Sequence, residues 1–172
     1  MTNIKIMIMN IYDNMKYNKE KFTLTWSDNT KFLNLTSVKQ AYGVCFRKDG
    51  KILIVKVKNK WCLPGGKPES NETYEETLKR EVMEEGGVEL GKIKPLGHII
   101  VRDNKNTITN QLRFATVVSK INAQTIDPAH GEINERKFIS PDDFITYCPW
   151  GNTGKHTLKK AIEWFKKHKM NR

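Results

Sequence analysis

Residues 66–88 read Gly-Lys-Pro-Glu-Ser-Asn-Glu-Thr-Tyr-Glu-Glu-Thr-Leu-Lys-Arg-Glu-Val-Met-Glu-Glu-Gly-Gly-Val, and this stretch decides the fold. From Asn71 onward the apolar residues fall at helical spacing: Tyr74, Leu78 and Val82 recur every four residues and form one buried stripe. Thr73 followed by Glu76 fits a capping box at the helix start, with Asn71 as an alternative cap. Gly86-Gly87 ends the helix, because glycine accepts the left-handed conformation of a helix stop. The acids are patterned too. Glu81, Glu84 and Glu85 stand at i, i+3 and i+4, three carboxylates on one face. Crowded like charges repel, and a hard divalent cation relieves them through oxygen ligation. On spacing alone, a solvated acidic face is the alternative.

Working outward, residues 41–47 and 52–58 are β-rich and flank Lys48-Asp49-Gly50, a hairpin turn signal. Trp61-Cys62-Leu63 forms a short strand that runs into Pro64-Gly65-Gly66. Further upstream, residues 21–35 alternate well enough for another hairpin. Phe22, Leu24 and Trp26 lie on one arm, Leu33 and Leu35 on the other, and Ser27-Asp28-Asn29-Thr30 makes the turn. Downstream, strands are expected at residues 96–102, 111–119 and 136–139. A last helix is expected over residues 156–168, with Leu158, Ala161, Ile162 and Phe165 turned inward. The segment Gly151-Asn152-Thr153-Gly154-Lys155 lacks the spacing and preceding strand of a P-loop, yet offers an anion seat at the helix start. Strands interrupted by one helix and closed by another imply a mixed sheet covered on its faces.

The frame around the acids is more specific than the acids themselves. Gly66 is followed after five residues by Glu72, and after seven more by Arg80-Glu81; then come Val82, Met83, Glu84-Glu85, Gly86, Gly87 and Val88. Every constrained position agrees with the signature of the Nudix hydrolases, and the chain resembles that family. The strand order around the motif extends the resemblance to about residues 38–168. It implies an α/β fold, an α/β/α sandwich with a mixed β-sheet and a catalytic loop-helix-loop. It divides the chain into residues 1–37, an N-terminal extension carrying the hairpin, and residues 38–172, the hydrolase domain, together one globular unit.

The resemblance also implies roles. Glu81, Glu84 and Glu85 would ligate Mg²⁺ or Mn²⁺, with the Gly65 carbonyl as a further ligand. Arg80 and Glu72 would form an ion pair that holds the loop and orients Glu81, while Gly66 and Gly87 serve the backbone. The reaction would be attack of water on one phosphorus of a diphosphate. Family members often add a carboxylate from a loop outside the signature. Here Glu132 is the first choice and Glu135 the second, each with the alternative of an exposed loop acid; His130 beside them is a candidate phosphate donor. Lys56, Arg102 and Arg113, on predicted strands, are candidate phosphate contacts or else outward-facing strand residues.

Composition bounds the rest. With 38% hydrophobic and 28% charged residues, the chain reads as a globular domain and not a disordered one. No apolar run is long enough to span a bilayer, and residues 1–9, interrupted by Lys5, lack a signal cleavage site. Three scattered cysteines, Cys45, Cys62 and Cys148, argue against a disulfide framework and for a reducing compartment, hence a cytoplasmic protein. The net charge of +11 attracts polyanions. Much of it lies in residues 155–172, which read either as a solvated helix face or as a steering surface for phosphate or RNA.

Three functions are therefore open. One is hydrolysis of a nucleoside diphosphate linked to another group, such as a nucleoside triphosphate. A second is removal of pyrophosphate from RNA 5′ ends, motivated by the basic charge. The third is a non-catalytic nucleotide-binding module, for which three crowded acids have no use. No membrane partner is implied, and the chain reads as a monomer or homodimer.

Overall fold

The computed structural model describes residues 11–17 and 19–170; the leader reading of residues 1–9 and the terminal Arg172 fall outside them. Nine strands form the sheet: β1 (Tyr12–Tyr17), β2 (Glu20–Ser27), β3 (Val38–Phe46), β4 (Ile52–Val57), β5 (Lys60–Cys62), β6 (Gly65–Gly66), β7 (Val88–Asp103), β8 (Ile108–Ile121) and β9 (Glu135–Ile139). Three α-helices accompany them: α1 (Tyr74–Gly86), α2 (Phe144–Tyr147) and α3 (Gly151–Met170). The strands run in the order β1-β2-β7-β8-β3-β4-β5, with β6 paired to β3 and β9 to β4. Among the described strands only β3 and β8 are parallel, so the sheet is mixed.

Alternation along β3 assigns the two faces. Ala41 and Cys45 join a core with Leu78 and Val82 of α1, whereas Val44 and Phe46 join a second core that receives Phe144 and Ala161. Contact between α1 and the sheet is close enough that a side chain at Gly43 would meet the Leu78 methyl groups. On the other face Phe46 stacks on Phe165 of α3 with ring centroids 4.3 Å apart. Helix on sheet on helix is the layering the resemblance implies.

Two local expectations change. The N-terminal hairpin exists, but its arms are β1 and β2, and the edge of β2 away from β1 pairs with β7. Residues 28–37 form no strand. The Asn29 side chain accepts from the Lys31 N–H at 2.9 Å, Asp28 accepts from the Trp26 indole, and Phe32 starts a short 3-10 turn. Phe32 is the buried anchor of that segment, while Leu33 is 97% exposed. The alternation at Leu33 and Leu35 therefore carried no strand. Likewise the Lys48-Asp49-Gly50 turn forms, but β3 and β4 pair only at its root, Phe46 with Ile52, because β8 and β6 hold the rest of β3.

The last helix begins five residues earlier than its apolar periodicity implies, at Gly151. The cause is a carboxylate from β1. Asp13 accepts from the N–H groups of Asn152 and Thr153 at 2.8 and 2.7 Å and from the Thr153 hydroxyl at 2.8 Å. Those N–H groups are the unpaired donors of a helix start. The anion seat expected there is thus filled by the chain itself. Burial raises the Asp13 pKa, and the hydrogen bonds from Thr153 and Asn152 outweigh it, leaving the carboxyl below its ordinary value.

Because that pKa is depressed on folding, the Asp13 contribution is present above the unfolded carboxylate pKa and fades as pH falls through the folded one. Asp13→Ala should cost about 1 kcal/mol at neutral pH. The gap to wild type in denaturant melts should close in acid; an equal gap at every pH would contradict this account.

Candidate active site

The site is built on α1 and the loop before it. Thr73 and Glu76 form the capping box: the Thr73 hydroxyl accepts from the Glu76 N–H at 3.2 Å, and the Glu76 carboxylate accepts from the Thr73 N–H at 2.8 Å. At the other end Gly87 takes the left-handed conformation at φ 60°, its N–H donating to the Met83 carbonyl. Between these caps the helix buries Leu78 and Val82, and the rigid packing carries the acids with it.

Arg80 is the hub. Its Nε and one terminal nitrogen grip both oxygens of Glu72, at 2.6 and 3.0 Å. The other terminal nitrogen donates to Glu81 at 2.8 Å and Glu84 at 3.3 Å, and a further N–H reaches the Lys67 carbonyl at 3.2 Å. The loop is thereby tied to the helix. Hydrogen bonds from Arg80 hold the Glu72 carboxyl down at about 2, and Glu72 in return raises the Arg80 pKa.

Glu81 and Glu85 sit deeper. The Glu81 carboxylate lies against Gly66 so closely that any side chain there would overlap it. Glu85 is 7% exposed and accepts from the Gly65 N–H at 2.9 Å. Burial pushes the Glu85 carboxyl up to about 8, with Glu81, Asp127 and Glu84 adding repulsion against the Gly65 hydrogen bond. Burial also raises Glu81, against the pull of Arg80. Among the described residues no three acid, histidine or cysteine side chains stand in ready ligand geometry; Arg80 engages Glu81 and Glu84, and Gly65 engages Glu85. The donors are nonetheless hard carboxylate oxygens, crowded and held in part against their own ionisation, and that chemistry fits Mg²⁺ or Mn²⁺.

The loop acids are arranged differently from expectation. Glu132 is exposed, and Glu135 pairs with Lys56 at 2.7 Å. Together with His130, these three line a cavity of about 490 Å³ at the Lys56 end of β4. The loop carboxylate that feels Glu81 and Glu85 is Asp127, which is 2% exposed. It accepts from the Ala129 N–H and the Asn134 amide, both at 2.8 Å. The Asp127-Pro128 dipeptide signals only a turn in the sequence, so its acid was legible as a loop brace and no more.

Of the strand cations, Arg102 is exposed at the far end of β7, opposite Thr23 and Ile108, and is not brought to the acids. Arg113 is. It is 2% exposed on β8, beside Tyr42, with its guanidinium 5.0 Å from the Tyr42 ring and 5.3 Å from the Trp150 ring. It donates to the Leu112 carbonyl and the Gln111 side chain, and its Nε has no partner among the described residues. Burial lowers its pKa to about 10. Tyr42, Arg113, Trp150 and Gln111 wall a cavity of about 350 Å³, closed on one side by Asn14 and Met15 of β1. Tyr42 pairs in register with Gly65, and the charges of Glu85 and Glu81 reach it, so one wall of this cavity lies near the acid cluster.

A model of the NUDIX domain matches residues 37–165, well over half of the 172 residues. The chain belongs to the NUDIX family. Membership carries the class of reaction, hydrolysis of a phosphoric anhydride. Among solved structures, the Bacillus subtilis pyrophosphohydrolase BsRppH superimposes with a TM-score of 0.69 at 22% identity, covering 88% of this chain and 96% of that one. A NUDIX hydrolase from Nitrosomonas europaea gives 0.58 at 16%, over 74% and 90%. The C. elegans Ap4A hydrolase gives 0.53 at 19%, over 76% and 99%. At these identities the likenesses speak for the fold. No curated protein matches the sequence closely enough to count as a relative. No helix among the described residues is long and apolar enough to cross a membrane.

Arg80→Ala removes the partner of three carboxylates at once, and should cost about 2–3 kcal/mol of stability as well as turnover. Thermal melts and rates measured together check this; a lost rate at unchanged stability would show that Arg80 has no bracing role.

Proposed function

We propose that this NUDIX protein hydrolyses the diphosphate of a nucleotide in a cation-dependent reaction, with Glu81, Glu84 and Glu85 as ligands and the Gly65 carbonyl as a further oxygen. The observation that carries this reading is the register of Tyr42 with Gly65, together with the charges of Glu85 and Glu81 that reach Tyr42, which brings one wall of an aromatic cavity near the buried acids. A bound divalent cation supplies neutralisation of phosphate oxygens and a water of lowered pKa. The chain supplies the rest. The Gly65 N–H holds Glu85 in place, and Arg80 keeps Glu81 turned toward Gly66. Tyr42 and Trp150 offer apolar walls for a base, and Arg113 places a buried positive charge beneath them. Water adds to one phosphorus and the other phosphate departs with the bridging oxygen. Asp127 is the loop carboxylate best placed to assist, ahead of Glu132. The three free thiols support the cytoplasmic placement.

A second reading, a triphosphorylated RNA end as substrate, is favoured by one further feature. A groove of about 730 Å³ shares Asp13 and Asn14 with the aromatic cavity and is flanked by Lys155, His156, Lys159 and the half-exposed Tyr12. Lysines beside an exposed ring suit a single strand. Lys166, Lys167 and Lys169 begin more than ten residues further along α3, about 16 Å from Lys155. Charge reversal at Lys155 and Lys159 should therefore flatten the salt dependence of oligonucleotide binding by more than one unit of slope, about 0.7 per contact. The same change at Lys166 and Lys167 should not. Equal effects of the two pairs, or none, would remove the RNA reading.

Glu84→Gln and Glu85→Gln should each lower turnover by about two orders of magnitude with the fold intact. A nucleotide panel with Mg²⁺ and Mn²⁺, scored by phosphate release and by circular dichroism, tests this. Near wild-type turnover in either variant would overturn the assignment, and nucleotide binding without any cation-dependent release would point to a binding module.

A further inference from the structure

The negative end of α1 has no cation of its own. Its first turn carries Glu75 and Glu76, and its last turn has no basic residue, although cations are favoured there. The last carbonyls of a helix also lack partners within it. Both needs are met from β9. One terminal nitrogen of Arg136 donates to the Gly86 carbonyl at 2.6 Å, to the Asn122 carbonyl at 2.9 Å and, more weakly, to the Gly87 carbonyl at 3.4 Å. The fit leaves no spare room: a β-carbon at Gly87 would stand 3.0 Å from that nitrogen and 3.0 Å from the Ala123 carbonyl. Gly87 is therefore required twice, for its positive φ and for the approach of Arg136.

A second contact runs from the same turn to the loop acid. The Gln124 amide donates to the Asn134 carbonyl at 2.6 Å and, at 3.4 Å, to the carbonyl of Glu85 itself. The Asn134 amide in turn donates to Asp127 at 2.8 Å, and the charge of Asp127 reaches Glu81 and Glu85. The backbone closes the ring, since the Asn122 N–H donates to the Gly87 carbonyl at 2.8 Å. Two separate chain segments, residues 84–87 and 122–136, are thus pinned through one guanidinium and one carboxamide.

We propose that Arg136 is a positioning residue for the acid cluster: with Gln124 it seats the last turn of α1 against the 122–134 loop, so that Glu84, Glu85 and Asp127 face one space. This rests on the reading that the cluster holds a divalent cation. Arg136 touches no reacting atom. It acts through the backbone that carries Glu84 and Glu85, and a guanidinium suits the task because a single side chain meets three carbonyls.

The test uses the full chain and Mn²⁺ as probe, with binding followed by electron paramagnetic resonance at a temperature where each variant is fully folded. Wild type should bind Mn²⁺; a wild type that binds none, with no cation-dependent turnover, overturns the cation reading and this proposal with it. Given binding, Arg136→Met should weaken Mn²⁺ affinity by about tenfold or more and lower kcat by a similar factor with KM little changed, as loss of outer-shell support does. Arg136→Lys, which keeps the charge on a single donor nitrogen but not the planar guanidinium, should fall between. A folded Arg136→Met with wild-type Mn²⁺ affinity and kcat, whatever its melting temperature, would make Arg136 a structural brace only. Should Arg136→Met fail to fold, Gln124→Leu carries the same test, with a loss of about threefold expected and unchanged Mn²⁺ affinity overturning the proposal.

Discussion

Glu72, Glu81, Glu84 and Glu85 occupy little more than the inner face of one helix and its approach, and Arg80 stands among them. Four carboxylates at that spacing repel, and the repulsion grows as burial removes water from between them. Arg80 answers three of the four directly, and the Gly65 N–H answers the fourth. The arrangement still leaves Glu85 displaced upward, first by burial and then by repulsion from Glu81, Asp127 and Glu84. A cluster left in that condition is suited to receive a cation from outside.

The rest of the fold serves to hold this cluster at the sheet edge. Packing of Leu78 and Val82 into one core fixes the rotation of α1, and the absence of side chains at Gly43 and Gly66 lets the helix come close to β3 and β6. The opposite core, built on α3, places Tyr42, Arg113 and Trp150 together on the other face. Acids and cavity thus come from different layers, linked where β3 carries Tyr42 past Gly65. The N-terminal hairpin lies outside the matched NUDIX region, yet Asp13 ties it to α3 and its strand β1 walls the cavity.

Legibility in the sequence tracked the range of the interactions. The helix 74–86, its capping box and its glycine stop are set by residues within a few positions of one another, and so were readable as written. So was the turn at Asp49-Gly50, though not that β3 and β4 pair only at its root. The arm at Leu33 and Leu35 was misread because a period of two is weak in a run of a few residues, and the burial of Phe32 depends on Phe114 and Tyr74, which lie far along the chain. The start of α3 was misplaced for the same reason, since its cap comes from Asp13.

By itself the sequence determined the acidic helix, its frame and hence the family, because each depends on fixed local spacing. It also marked Arg113 as a cation on a strand. Only the tertiary structure decided that Arg113 is buried between two rings while Arg102 is exposed at the far end of its strand, that Asp127 is buried with its charge reaching the cluster while Glu132 is exposed, and that Arg136 caps a helix fifty residues before it. Those outcomes follow from strand register and loop path, which bring together residues that share no local pattern, and a linear spacing rule carries no information about them.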